Sequence, residues 1–96
     1  MKFIAFFEFR PEDFDKAIEL NNTFVEKKEK EPEKYPELIF GPYILGGEFK
    51  GFAVDEVSNP KQITNEILHY MPTVKFRFVP LLDGYEAVEL YQKMKE

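Results

Sequence analysis

LIFGPYILGGEFKGFAVDEV, residues 38–57, decides the fold. Two strand-like runs, LIFGPYIL (38–45) and EFKGFAVDEV (48–57), flank Gly46-Gly47, a dipeptide suited to the positive φ angles of a tight hairpin turn. Pro42 has no N–H to give to a ladder, so the first run is expected at a sheet edge or with a bulge. A hairpin at mid-chain matters because the residues on both sides of it repeat one pattern, a helix and beyond it a strand.

Upstream, EKKEKEPEKYPE (26–37) is charge-rich and reads as a solvated helix end plus a loop. The helix before it opens at Pro11, with Glu12, Asp13 and Asp15 placed at the positive end of the helix dipole. Phe14, Ala17, Ile18, Asn21, Phe24, Val25 and Lys28 then follow the spacing of a single buried stripe. Lys27, Lys28 and Lys30 suit the negative end of the dipole, and Pro32 stops the helix near residue 31. Further upstream, KFIAFFEFR (2–10) is a strand with Phe3, Ala5, Phe7 and Phe9 on one face.

Downstream, Asn59-Pro60 opens a second helix with Ile63, Ile67 and Tyr70 spaced for burial, ending before Pro72. TVKFRFVPL (73–81) alternates as a fourth strand. Asp83, with Glu86 three residues on, caps a short last helix carrying Ala87, Val88, Tyr91 and Met94. The order β-α-β-β-α-β plus one helix predicts an α+β, ferredoxin-like sandwich. Two right-handed β-α-β units form a four-stranded antiparallel sheet with both helices on one face.

The other face is then bare. It carries Ile4, Phe6, Phe52, Val54, Val79 and Leu81 among Lys2, Glu8, Arg10, Lys50, Glu56, Lys75 and Arg77. An apolar patch of that extent is rare on a monomer. Burying Ile4, Phe6, Phe52 and Val54 is worth about 6–12 kcal/mol per subunit before association costs. A twin molecule packed sheet to sheet is the expected cover; the competing one is the last helix folding across.

Ninety-six residues make one domain, 1–96, and 44% hydrophobic with 17% aromatic content lies outside the disordered regime. A net charge of −5 with only Arg10 and Arg77 as arginines argues against a nucleic-acid partner. No run approaches a membrane span, nothing resembles a signal peptide, and cysteine is absent, which together predict a cytoplasmic protein.

These features carry a resemblance. The Pro11 opening, the Gly41-to-Gly46 strand, GFAVDEVSNP (51–60) and KFRFVPLLDGYEA (75–87) resemble the dimeric α+β barrel superfamily. Within it they are most similar to small bacterial and archaeal proteins classed as a domain of unknown function. The resemblance implies homodimers packed sheet against sheet. It also implies the cofactor-independent monooxygenase- or isomerase-like enzymes that occur in that superfamily. Where such relatives often carry a tryptophan, this chain has His69 or Tyr70.

Candidate site residues are few. His69 is the only histidine, the residue type that titrates near neutrality; it is the candidate general acid or base, against a bland role at a helix end. Asn21, the uncharged polar residue within an apolar stripe, either bonds locally or contacts a ligand in a helix–sheet cleft. Tyr43 and Tyr70 are ring-and-hydroxyl side chains of the kind that rim pockets. Arg10 and Arg77 either pair across strands with neighbours such as Glu8 or clamp a carboxylate or phosphate. A lone histidine without a carboxylate motif predicts no metal site, and the absence of a glycine-rich phosphate loop predicts no cofactor. Three readings remain: a homodimeric small-molecule-binding or sensing module; an enzyme acting on a small aromatic or carboxylate substrate; and a purely structural assembly subunit, which would hold no cavity of roughly 300 Å3.

Overall fold

β1 (Lys2–Glu8) is the strand around which the sheet is built, in a computed structural model that describes residues 1–96. It pairs antiparallel with β3 (Lys50–Glu56) on one side and with β4 (Lys75–Pro80) on the other. β2 (Glu37–Ile44) pairs with the outer edge of β3, giving the order β2-β3-β1-β4. With α1 (Phe14–Lys30) and α2 (Pro60–Tyr70) as the crossovers, this is the ferredoxin-like α+β arrangement. α3 (Gly84–Met94) follows as the extra helix.

The helix ends behave as their residues dictate. Pro11 starts a short 3-10 turn that runs into α1, and the helix stops one residue before Glu31-Pro32. Asn59 caps α2 by accepting from the Lys61 N–H at 2.8 Å, and Asp83 caps α3 by accepting from Tyr85 and Glu86. β2 is an edge strand and its register slips twice, between Leu38 and Phe40 and between Phe40 and Tyr43. Gly41 lies in that irregular stretch with φ +91°, a conformation that resists any other residue. The hairpin loop is wider than the Gly46-Gly47 dipeptide alone implies. Glu48 N–H closes a turn on the Leu45 carbonyl at 3.0 Å, with Gly47 at φ +81°. The Phe49 carbonyl then accepts the Phe9 N–H at 3.0 Å, just before β3 begins, and the Phe49 ring packs against Phe9 and Phe14.

Side chains sort by face as the strand alternation requires. Ala5, Gly51, Ala53 and Asp55 point under the helices and are buried. Ile4, Phe6, Phe52 and Val54 meet on the opposite face, with Ile4 beside Val54 and Phe6 beside Phe52. Phe40 and Tyr43 of β2 join them, their rings 6.3 and 6.0 Å from Phe52. No element of the chain covers this face. α3 does not fold over it: the helix makes no substantial contact with any other element, and Tyr85 and Met94 are 83% and 84% exposed. The protruding helix stretches the molecule to 54 × 33 × 20 Å and its radius of gyration to 15.7 Å; a compact chain of this length would have about 12.5 Å.

The core is small and lies towards α2. Ala17, Phe24, Tyr70 and Val74 form it, with Phe7, Phe9, Leu20, Tyr35 and Phe76 packed around them. α2 rests on β4, whereas α1 packs on α2 and stands off the strands. The second helix buries Gln62, Glu66 and Tyr70, one position away from the Ile63-Ile67-Tyr70 stripe that hydrophobicity predicts, and leaves both isoleucines half-buried. No helix is long and apolar enough to cross a membrane.

Candidate functional site

The space under α1 is a cavity of about 350 Å3. Its cause is the size of the residues at the centre of the sandwich. Ala5 and Ala53 face each other across β1 and β3, and Ala17 stands on the helix side, so three methyl groups occupy a region that larger side chains would fill. Gly51 belongs to the same economy of volume: a Cβ there would collide with the Tyr43 carbonyl oxygen and come within 2.7 Å of the Phe7 ring. All seven residues of the α1 stripe, Phe14 to Lys28, line this cavity. Only Ala17 and Phe24 among them are buried; Phe14, Ile18 and Val25 stay exposed with Leu38 and Ile44 of β2, which places the mouth between α1 and that edge strand.

The walls are apolar, and the polar groups are few. Asn21 lines the cavity from α1 and accepts a hydrogen bond of 3.0 Å from the Tyr70 hydroxyl. Asp55 of β3 and Glu66 of α2 line it too, 4% and 7% exposed respectively. Neither carboxyl has a hydrogen-bond donor or an ion-pair partner; what acts on them is desolvation and the charge of neighbours. Burial pushes the Glu66 carboxyl up to about 8, the Asp55 charge adds to the rise, and Lys28 opposes it. Burial likewise raises Asp55, against the pull of Lys28. The Tyr70 phenol is raised by burial first, then by Glu66 and Asp55. At neutral pH the floor of the cavity therefore holds a protonated Glu66 beside Asp55, whose own carboxyl is pushed upward by burial.

Of the residues singled out in the sequence, Asn21 and Tyr70 come together in this cavity and bond to each other. His69 lies outside it, on the seam between α1 and α2. Its Nε2 is 2.8 Å from the Leu20 carbonyl and its Nδ1 is 3.2 Å from Lys27 Nζ, a set that fits an imidazole donating from Nε2 and accepting at Nδ1. Tyr43 sits on the bare face of the sheet beside Phe52. Arg77 shares that face, its guanidinium 4.7 Å from the Phe6 ring centroid, a cation–π contact. Arg10 turns to the start of α1, bonding Asp13 at 2.9 Å and pairing with Glu12 at 3.5 Å. Glu8 and Lys75 are directly opposite in the ladder but form no ion pair.

Asp55 and Glu66 are the site residues that hydrophobic periodicity misses. Asp55 was findable, since Ala53 faces inward and strand alternation takes Asp55 with it. Glu66 was signalled by Gln62-Glu66-Tyr70, a spacing of i, i+4, i+8 that shares one helix face. Gln62 is satisfied there, accepting from the Ser58 N–H and donating to the Glu33 carbonyl, but Glu66 is not.

Neither the curated proteins nor the solved structures contain a match to the chain. A family model does match, over residues 1–95, and its description is a domain of unknown function, DUF3303. The match takes in every strand, every helix and the whole cavity, and the chain belongs to that family.

Proposed function

We propose that the protein is a homodimeric small-molecule-binding or sensing module, with its ligand held under α1 and its twin packed on the bare sheet face. The observation that carries the ligand half is the cavity. A volume of about 350 Å3 falls within the range of small-ligand sites, and apolar walls with a few convergent polar groups are the usual composition of one. A subunit with assembly as its only task has no need of such a space. The dimer half rests on the contiguous apolar face of Ile4, Phe6, Phe52, Val54, Phe40 and Tyr43, and on α3, whose apolar residues have nothing to pack on within one chain. Two copies related by a two-fold axis would cover both faces at once.

An enzyme built on His69, Asn21, Tyr43 and Arg10 is less favoured: His69 and Asn21 are near neighbours across the α1–α2 seam, but Tyr43 lies on the bare sheet face and Arg10 at the start of α1. A thermal-shift panel of small aromatic compounds tests the binding reading. Stabilisation of the wild type by several degrees, lost in Ala17→Leu and Ala53→Leu, is the expected result. No stabilisation by any compound, or equal stabilisation of the filled variants, contradicts it.

A further inference from the structure

Two carboxyl side chains more than nine-tenths buried, both lining one cavity and both without a partner, call for an explanation. Buried ionisable groups in folded proteins are normally paired, hydrogen-bonded or bound to a ligand. The neighbours here do not serve. The Tyr70 hydroxyl is committed to Asn21. Lys28 acts on both carboxyls through space, but its ammonium makes no ion pair with either and lies 6.0 Å from the Phe24 ring centroid. β1, β2 and β4 present only apolar side chains to the space.

We propose that the cavity takes a primary amine with an aromatic or branched aliphatic body, its ammonium seated against Asp55 and Glu66 and its apolar part against Phe7, Phe24 and Phe76. This rests on the ligand-binding reading above and adds the chemical class. An ammonium supplies up to three donors where two acceptors lie open, and aromatic faces around it add cation–π attraction. An anion would meet two carboxyls; a neutral alcohol brings one hydroxyl to two carboxyl groups and no charge to offset theirs.

The charge state follows by linkage. Free protein at neutral pH keeps Glu66 protonated. An arriving cation favours the ionised form, so binding expels a proton and affinity rises with pH up to about pH 8. The groups that face Glu66 and set this window are Asp55 from β3, Lys28 from α1 and Tyr70 on its own helix.

Calorimetric titration of the full chain with 2-phenylethylamine, 2-phenylethanol and 3-phenylpropionate separates the outcomes. The expected result is that the amine binds about tenfold or more tightly than the alcohol. It should also bind more tightly near pH 8 than near pH 6, with proton release into the buffer. Glu66→Gln should abolish the pH dependence and Asp55→Asn should weaken the amine about tenfold, with the alcohol unchanged in both. If the alcohol or the acid binds as well as the amine, the cationic class is wrong while the cavity remains a ligand site. If none of the three binds, both readings fall.

Discussion

Glu66 carries the most unusual environment in the chain, and its consequences for stability have a definite sign. The folded state holds the carboxyl proton up to about pH 8, whereas the unfolded chain releases it near the ordinary value of 4.5. Between those values the folded state binds more protons, so stability falls as pH rises, by up to about 1.4 kcal/mol per unit. Below the ordinary value both states are protonated and the contribution is fully present; above about pH 8 it is lost. Urea unfolding of Glu66→Gln should therefore match the wild type near pH 4 and exceed it near pH 8, by up to about 5 kcal/mol if the whole shift is expressed. Parallel pH profiles would show that Glu66 is not desolvated in the folded protein. Tyr70→Phe tests the neighbouring contact: losing the bond to Asn21 should cost about 1 kcal/mol, since the freed Asn21 oxygen can still meet water from the cavity mouth.

At the scale of elements, the helices were legible where polarity and shape pointed the same way. The α1 stripe from Phe14 to Lys28 is the face turned to the sheet, and the Pro11 start, the Pro32 stop and both capped helices follow from local chemistry. Periodicity locates the inward face but does not say whether the space behind it is filled. That depends on Ala5, Ala17 and Ala53 meeting in three dimensions, which no single segment reveals. The same limit hid Glu66: hydrophobicity ranks Ile63 and Ile67 above a glutamate, but the angle at which α2 rests on β4 turns the glutamate inward. α3 is a helix as the Asp83 cap and the apolar spacing predict, but nothing in its own segment signals that it stands apart from the sheet. Eleven residues are marginal for a helix standing alone, even with the Asp83 cap. Amide exchange across Tyr85–Met94 should accordingly be fast in dilute protein and slow as concentration drives association. Fast exchange at every concentration would mean that α3 has no role in assembly.

For the whole molecule, the bare sheet face and the cavity lie on opposite sides of the same four strands, so assembly and ligand binding are separable. Light scattering should give about twice the 11.4 kDa chain mass for the wild type. Phe52→Asp or Phe40→Asp should return it to the mass of one chain, with the fold intact by circular dichroism. A wild type that stays at one chain mass at micromolar concentration would leave the dimer without support. The site under α1 is tested most directly by amide chemical-shift mapping with 2-phenylethylamine. Saturable shifts are predicted at Asn21, Ala53, Asp55, Glu66 and Tyr70, with Ile4, Phe6 and Val54 moving far less. Shifts gathered on the bare face, or none that saturate, would contradict the account.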